Sequence, residues 1–269
     1  NSPGLYPTSL FNPDYGWEIN RKFEAGLELS FWKERLGVIV DYYNNRSSSQ
    51  LVNYALPQLT GFTSVLSNLP ATIENQGLEF SLNSTILKNK NLAWFSSITL
   101  TIPRNRLLAF PDFTKSSYQN VYEIGKPLSI YKSFHYTGVD PTTGEYSFLD
   151  VDKDGTISYP GNLLPIKSIQ QNYYGGLENT FSYKGVQINF FIQFVRQTGT
   201  NYSYYYPGAP GSAVNQPELV NSRWQKQGDV SSIQRFSQSY SSNAYTAFSN
   251  FSMSDQTISD ASYIRLKTV

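Results

Sequence analysis

The chain has 269 residues and 21 Lys+Arg against 20 Asp+Glu, so no charge excess points to nucleic acid or to a strongly charged ligand. The absence of cysteine excludes a disulfide framework, a Cys-ligated zinc site and a thiol nucleophile together. Charged residues make up 15% and aromatics 16%, mean hydropathy is −0.39, and no apolar run approaches the about 18 residues of a membrane helix; a membrane protein built this way has to be a β-barrel.

In chain order, Ile19 to Phe31 alternates with period two, placing Phe23, Ala25, Leu27, Leu29 and Phe31 on one face and Lys22, Glu24, Gly26 and Glu28 on the other. Lys33-Glu34-Arg35 makes a short turn, after which Leu36, Val38, Val40 and Tyr42 oppose Asp41, Tyr43 and Asn45, completing a long hairpin. A second hairpin sets Leu78, Phe80, Leu82 and Ile86 against Glu79, Ser81, Asn83 and Thr85. It turns at Lys88-Asn89-Lys90-Asn91 and returns through Ile98, Leu100 and Ile102. A third runs from Gly175 to Phe181, turns at Tyr183-Lys184-Gly185, and continues as Val186, Ile188, Phe190, Ile192 and Phe194 opposite Gln187, Asn189 and Gln193.

The connections at the other ends are long: roughly residues 50 to 72, 108 to 128 and 200 to 257, rich in Tyr, Ser, Asn, Gly and Pro. No helix-period segment and no internal repeat stands out. Short turns on one side, long loops on the other and strands of about 10 residues with one apolar face match an outer-membrane barrel. The competing fold is a soluble β-sandwich or secreted adhesin, whose strands are typically about 5 to 6 residues long. The start at Asn1-Ser2-Pro3-Gly4, with no initiator Met or signal peptide, and the end at Tyr263 to Val269 in mid-pattern lead to the expectation of a piece cut at both ends.

Collinear motifs then narrow the reading. Phe11-Asn12-Pro13-Asp14-Tyr15-Gly16-Trp17-Glu18, Lys22 to Glu28, Val40 to Arg46, Leu56-Pro57, Thr60-Gly61-Phe62, Asn75 to Glu79, Gly125 to Leu128, Gly138 to Gly144, Asp150 to Gly155, Tyr173 to Asn179, Arg223-Trp224 and Ala261 to Lys267 follow one another in order. The chain resembles, over nearly its whole length, the SusC/RagA family of TonB-dependent outer-membrane proteins. The resemblance implies an all-β fold, an antiparallel transmembrane β-barrel fragment in which residues 1–269 are a C-terminal part of a plugged barrel of about 22 strands. It further implies import of an oligosaccharide or oligopeptide across a bacterial outer membrane, with a SusD-like surface lipoprotein as partner. TonB is expected to act through a region upstream of Asn1, and the final strands are expected after Val269. The alternative is a cell-surface β-rich carbohydrate-binding or adhesin module without transport.

Three groups of residues carry candidate chemistry. Asp150, Asp152 and Asp154 with Gly155 have the alternating carboxylates and turn glycine of a calcium loop, but the bidentate twelfth position is Gly161. The competing reading is a polar turn held by Asx bonds, with no cofactor. Tyr202, Tyr204, Tyr205 and Tyr206 lie in the longest loop, suited to stacking on sugar rings or apolar peptide side chains, or to packing the loop itself. Lys22, Glu24, Glu28, Asp41, Glu79, Gln187 and Gln193 are expected to line a polar interior. His135, the only histidine, has no flanking catalytic motif and no phosphate loop is present, so no enzyme is read; a β-rich glycoside hydrolase would need a carboxylate pair that the spacing does not mark.

Overall fold

The computed structural model describes residues 8–56 and 58–269, so the Asn1-Ser2-Pro3-Gly4 terminus and Pro57 lie outside the described residues. The chain divides into two compact units, of which the first runs to Leu128 and resumes at Asn172–Val195 and Tyr263–Val269. This unit is a seven-stranded sheet in which each strand pairs with the next along the chain. The strands are β1 (Ile19–Phe31), β2 (Leu36–Ala55), β3 (Ser64–Lys88), β4 (Leu92–Ala109), β5 (Tyr173–Tyr183), β6 (Val186–Arg196) and β7 (Tyr263–Thr268).

The turns expected on one side form where the sequence allows unusual backbone. Trp32, Lys33 and Glu34 all adopt positive φ (52°, 56° and 66°) between β1 and β2. Lys184 and Gly185 (47° and 89°) make the two-residue turn whose twist matches its strands. Between β3 and β4 the Asn89 side chain accepts from the amides of Asn91 and Leu92 at 3.0 and 2.9 Å, an Asx turn.

Antiparallel register converts each strand's alternation into rows across the sheet. On one face stand Leu27↔Val40↔Phe80↔Leu100 and Leu29↔Val38↔Leu82↔Ile98↔Leu177; on the other, Gly26↔Asp41↔Glu79↔Thr101 and Ser30↔Gly37↔Asn83↔Ser97↔Glu178. Side chains of the apolar face are exposed among the described residues: Phe23 is 58% exposed, Leu27 55% and Val186 65%. A patch of that size in water would drive association. No helix among the described residues is long and apolar enough to cross a membrane.

The expected loop over residues 50 to 72 is corrected by the structure. Pairs from Gln50↔Leu69 to Ala55↔Ser64 continue the β2–β3 ladder. Adjacent apolar residues such as Leu51-Val52 and Val65-Leu66 place apolar side chains on both faces of this upper part, so no strict alternation shows in sequence even though the backbone pairs. The expected 108–128 loop folds onto the sheet instead: Phe110, with Phe113, Tyr118, Tyr122 and Leu128 around it, packs on Ala71, Ile73 and Leu107.

The second unit comprises Ser129–Gln171 and Arg196–Ser262. It contains two-stranded sheets, among them Tyr136–Val139 with Tyr146–Phe148 and Thr198–Thr200 with Ile258–Asp260. It also contains a helix that the sequence pattern did not announce, α1 (Asn243–Ser252), whose start is capped by Ser242 accepting from the Tyr245 amide. Tyr146, Ala247 and Phe251 form its core, with the Tyr146 and Phe251 rings stacked at 4.3 Å.

Candidate functional site

The polar face of the sheet gathers the residues expected to line an interior. Register puts Lys22, Glu24, Glu28, Asp41 and Glu79 on one face of β1 to β3, and alternation puts Gln187 and Gln193 together on one face of β6. Glu24, Asp41, Tyr43, Asn45 and Glu79 line a depression of about 520 Å³. A second, of about 570 Å³, is lined by Glu28, Ser30, Glu34, Asn83, Ser97 and Glu178 among others. Cross-strand hydrogen bonds hold this face together, Asn105 to Asn75 at 2.6 Å, Ser97 to Asn83 at 2.8 Å, and Asn189 to Glu178 at 2.9 Å. The Tyr43 ring lies flat over Gly77, so close that a methyl group there would sit 2.6 to 2.8 Å from three ring and hydroxyl atoms. This surface can hold a polar protein element or hydrated solute.

The apolar face ends in a polar band. Above the row Ala25↔Tyr42↔Leu78↔Ile102 come Phe23↔Asn44↔Gln76↔Arg104 and then Arg21↔Arg46↔Glu74↔Arg106. Glu74 is buried, and one of its carboxylate oxygens accepts from Nε and Nη2 of Arg46, both at 2.8 Å, and from Asn44 at 3.2 Å. Arg21, Arg46, Arg104 and Arg106 are exposed. Sequence reading missed this cluster because its members lie on four different strands.

In the second unit the tyrosine run forms a short 3-10 turn, Tyr202–Tyr205, opened by Asn201, whose side chain accepts from the Ser203 amide. Tyr202, Tyr204 and Tyr205 are 66%, 45% and 70% exposed, whereas Tyr206 is half-buried, which raises its phenol pKa. Tyr202 packs on Tyr206 and Tyr204 on Tyr205. Three aromatic faces are therefore presented to solvent by a turn whose fourth member anchors it.

Asp150, Asp152 and Asp154 bring carboxylate oxygens within 4.8 Å of one another. Asn162, fully buried, donates its amide to Asp150 at 3.2 Å and Asp152 at 3.0 Å, while its oxygen accepts from the Ser158 amide, which sets the orientation of the amide. Backbone amides of Gly155 first, then Lys153, hold the Asp150 carboxyl below the usual range. The sequence reading reached the three aspartates and Gly161 but not Asn162, one position further on. His135 donates from Nδ1 to the Asp255 carboxylate at 2.7 Å, and Asp255 also accepts from the Tyr136 amide, so the histidine fastens two segments together.

No protein-family model matches the chain. TonB-dependent receptor P3 of Formosa agariphila is 24% identical over 99% of this chain. TonB-dependent receptor SusC of Bacteroides thetaiotaomicron is 26% identical over 74% of it. The solved structure of the RagAB peptide importer in its closed-closed state superposes with a TM-score of 0.78 at 22% identity, covering 98% of this chain and 30% of the other. The chain resembles a stretch of a SusC/RagA-type TonB-dependent receptor. It spans 28% of the length of receptor P3 and 21% of SusC. Its seven-stranded sheet is wall of a bacterial outer-membrane β-barrel, and the rows described above acquire a direction: apolar side chains toward lipid, polar ones toward the lumen.

Proposed function

We propose that the chain forms part of the barrel of a SusC-like importer that carries an oligosaccharide or oligopeptide across the outer membrane. The observation that carries the reading is the two-faced wall, with leucine, valine and phenylalanine rows on one side and carboxylate and amide rows on the other. The polar face would hold a plug domain preceding this chain, and strands beyond both sheet edges would close the barrel so that no backbone edge meets lipid. TonB acting on the plug would supply the energy, and a SusD-like lipoprotein would cover the outer loops. Tyr202, Tyr204 and Tyr205 would offer their rings to the sugar or to apolar peptide side chains; the chain takes no part in nucleic-acid binding and performs no catalysis in this scheme.

The test is single-cysteine spin labelling along residues 186–195 in the full-length protein in lipid. Val186, Ile188, Phe190, Ile192 and Phe194 should be reached preferentially by oxygen, and Gln187, Asn189 and Gln193 by a water-soluble nickel reagent or by neither. Uniform nickel access would replace the barrel with a soluble carbohydrate-binding or adhesin module.

A further inference from the structure

We propose that the outer face of the wall carries a binding row for the phosphates of an outer-leaflet glycolipid, formed by Arg21, Arg46, Arg104 and Arg106 around Glu74. The inference rests on the apolar face meeting lipid, and goes beyond it by naming what meets the wall where the hydrocarbon ends.

Three observations converge. The first is register: Arg21, Arg46, Glu74 and Arg106 are direct cross-strand neighbours on β1 to β4, and Arg104 stands one row below, with no bulge between them and the apolar rows. All therefore share the face of Leu27, Val40, Phe80 and Leu100. The second is height. Phe31↔Leu36 opens the apolar face and Arg21↔Arg46 lies ten residues along both strands. At about 3.3 Å per residue and a tilt near 40°, that is roughly 25 Å along the membrane normal, the height of a barrel's apolar band. The row sits at the end opposite the short turns, hence on the outer-leaflet side.

The third is charge. The two rows carry four guanidinium groups and one carboxylate, which is already engaged by Arg46 and Asn44, while Arg104 donates to the carbonyls of Pro103 and Asn172. No carboxylate lies within ion-pair distance of Arg21, Arg104 or Arg106 among the described residues. Every cation of the group is arginine, whose planar fork matches phosphate oxygens two at a time. From Arg21 to Arg106 the row crosses three strand spacings, about 14 Å. A diphosphorylated glycolipid headgroup can place both phosphates along such a row while its acyl chains lie on the leucine and phenylalanine rows below.

The experiment uses the full-length protein in nanodiscs holding equal amounts of diphosphorylated lipid A and its dephosphorylated form, with retained lipid counted by native mass spectrometry. The variant Arg21→Gln/Arg104→Gln/Arg106→Gln leaves the Arg46–Glu74 pair intact. The parent should favour the phosphorylated lipid, and the triple variant should lose about a hundredfold of that preference, from roughly fivefold per basic side chain at an anionic surface. Heat-modifiable gel mobility reports that the barrel has formed. Should the triple variant not fold, Arg21→Gln alone, on the exposed β1, is expected to lose about fivefold. Equal preference in parent and variant overturns the proposal, as does loss of the parent's preference on adding inorganic pyrophosphate, which would mark a plain anion site. A folded barrel without phosphate preference sinks this inference alone; a parent protein soluble without lipid or detergent sinks the barrel reading with it.

Discussion

Replacing Gly77 with alanine should destabilise the wall, and should do so only while Tyr43 is present. The new methyl carbon would stand 2.6 Å from the Tyr43 hydroxyl oxygen and 2.7 and 2.8 Å from two ring carbons, all about 1 Å inside ordinary contact distance. The ring must lift from the sheet, and overpacking of this kind costs about 1 to 3 kcal/mol. Against it runs the intrinsic gain of replacing a strand glycine, about 0.5 to 1 kcal/mol. The net expectation is a loss of about 1 kcal/mol in the parent and, in a Tyr43→Ala background, a gain of about 0.5 kcal/mol, a coupling near 1.5 kcal/mol. Denaturant unfolding of the full-length protein in lipid, followed by tryptophan fluorescence, measures all four corners of the cycle. Equal effects in the two backgrounds would refute the argument that the glycine is there to receive the ring.

Further expectations concern the second unit. The Tyr146 hydroxyl is buried without a partner and burial pushes its pKa above the usual phenol range, so Tyr146→Phe should gain about 1 kcal/mol while keeping the stack on Phe251, measured by thermal unfolding; a clear loss would show a partner at the hydroxyl. Burial likewise pushes Tyr136 up to about 12, so its neutral form contributes stability that is intact below the ordinary phenol pKa and lost as pH rises through about 12. Tyrosinate absorbance of a Tyr136→Phe variant should lack that late ionisation. Asp150, whose pKa is lowered, works in the opposite sense: its contribution is present above the ordinary carboxylate pKa and disappears as pH falls through the lowered value. Hydrogen exchange at the Gly155 and Lys153 amides should follow that acid transition and lose it in Asp150→Asn. Finally, Asn162→Asp puts a fourth carboxylate where an amide now bridges Asp150 and Asp152. Calcium should then raise the variant's melting temperature by more than the parent's, and an equal response would count against metal coordination at that position.

What could be read in advance follows amphipathicity. The β1–β2 and β5–β6 hairpins were legible because Leu27, Leu29 and Phe31 alternate strictly with polar residues, Ile188, Phe190 and Ile192 stand on one face with only Phe191 breaking the polar alternation, and the turns between are short. Upper β2 and β3 pair equally well, yet Leu51-Val52 and Val65-Leu66 set apolar residues side by side, which breaks the alternation and makes the stretch read as loop. Helix α1 escaped notice because its buried positions, Ala244, Ala247 and Phe251, have helical spacing but two are alanines set among serine and asparagine. Asp150, Asp152 and Asp154 share one loop and were found together, whereas Arg21, Arg46, Glu74 and Arg106 are joined only by strand register, which a linear pattern does not contain.

Two of the β-bulges, on β2–β3 and β3–β4, mark a seam. Register is unbroken from Leu36↔Ser84 to Ser48↔Thr72, then slips at Ser48/Gln50, where Ser49 takes φ 55°, and again at Thr72/Ile73 against β4. A slip of one residue reverses which way side chains point, so each bulge absorbs a change of length that would otherwise turn the bilayer-level side chains inside out. Insertions and deletions beyond the seam leave the frame beneath untouched. Descendants of such a chain can exchange their outermost ornaments without renegotiating the scaffold that keeps them in the membrane.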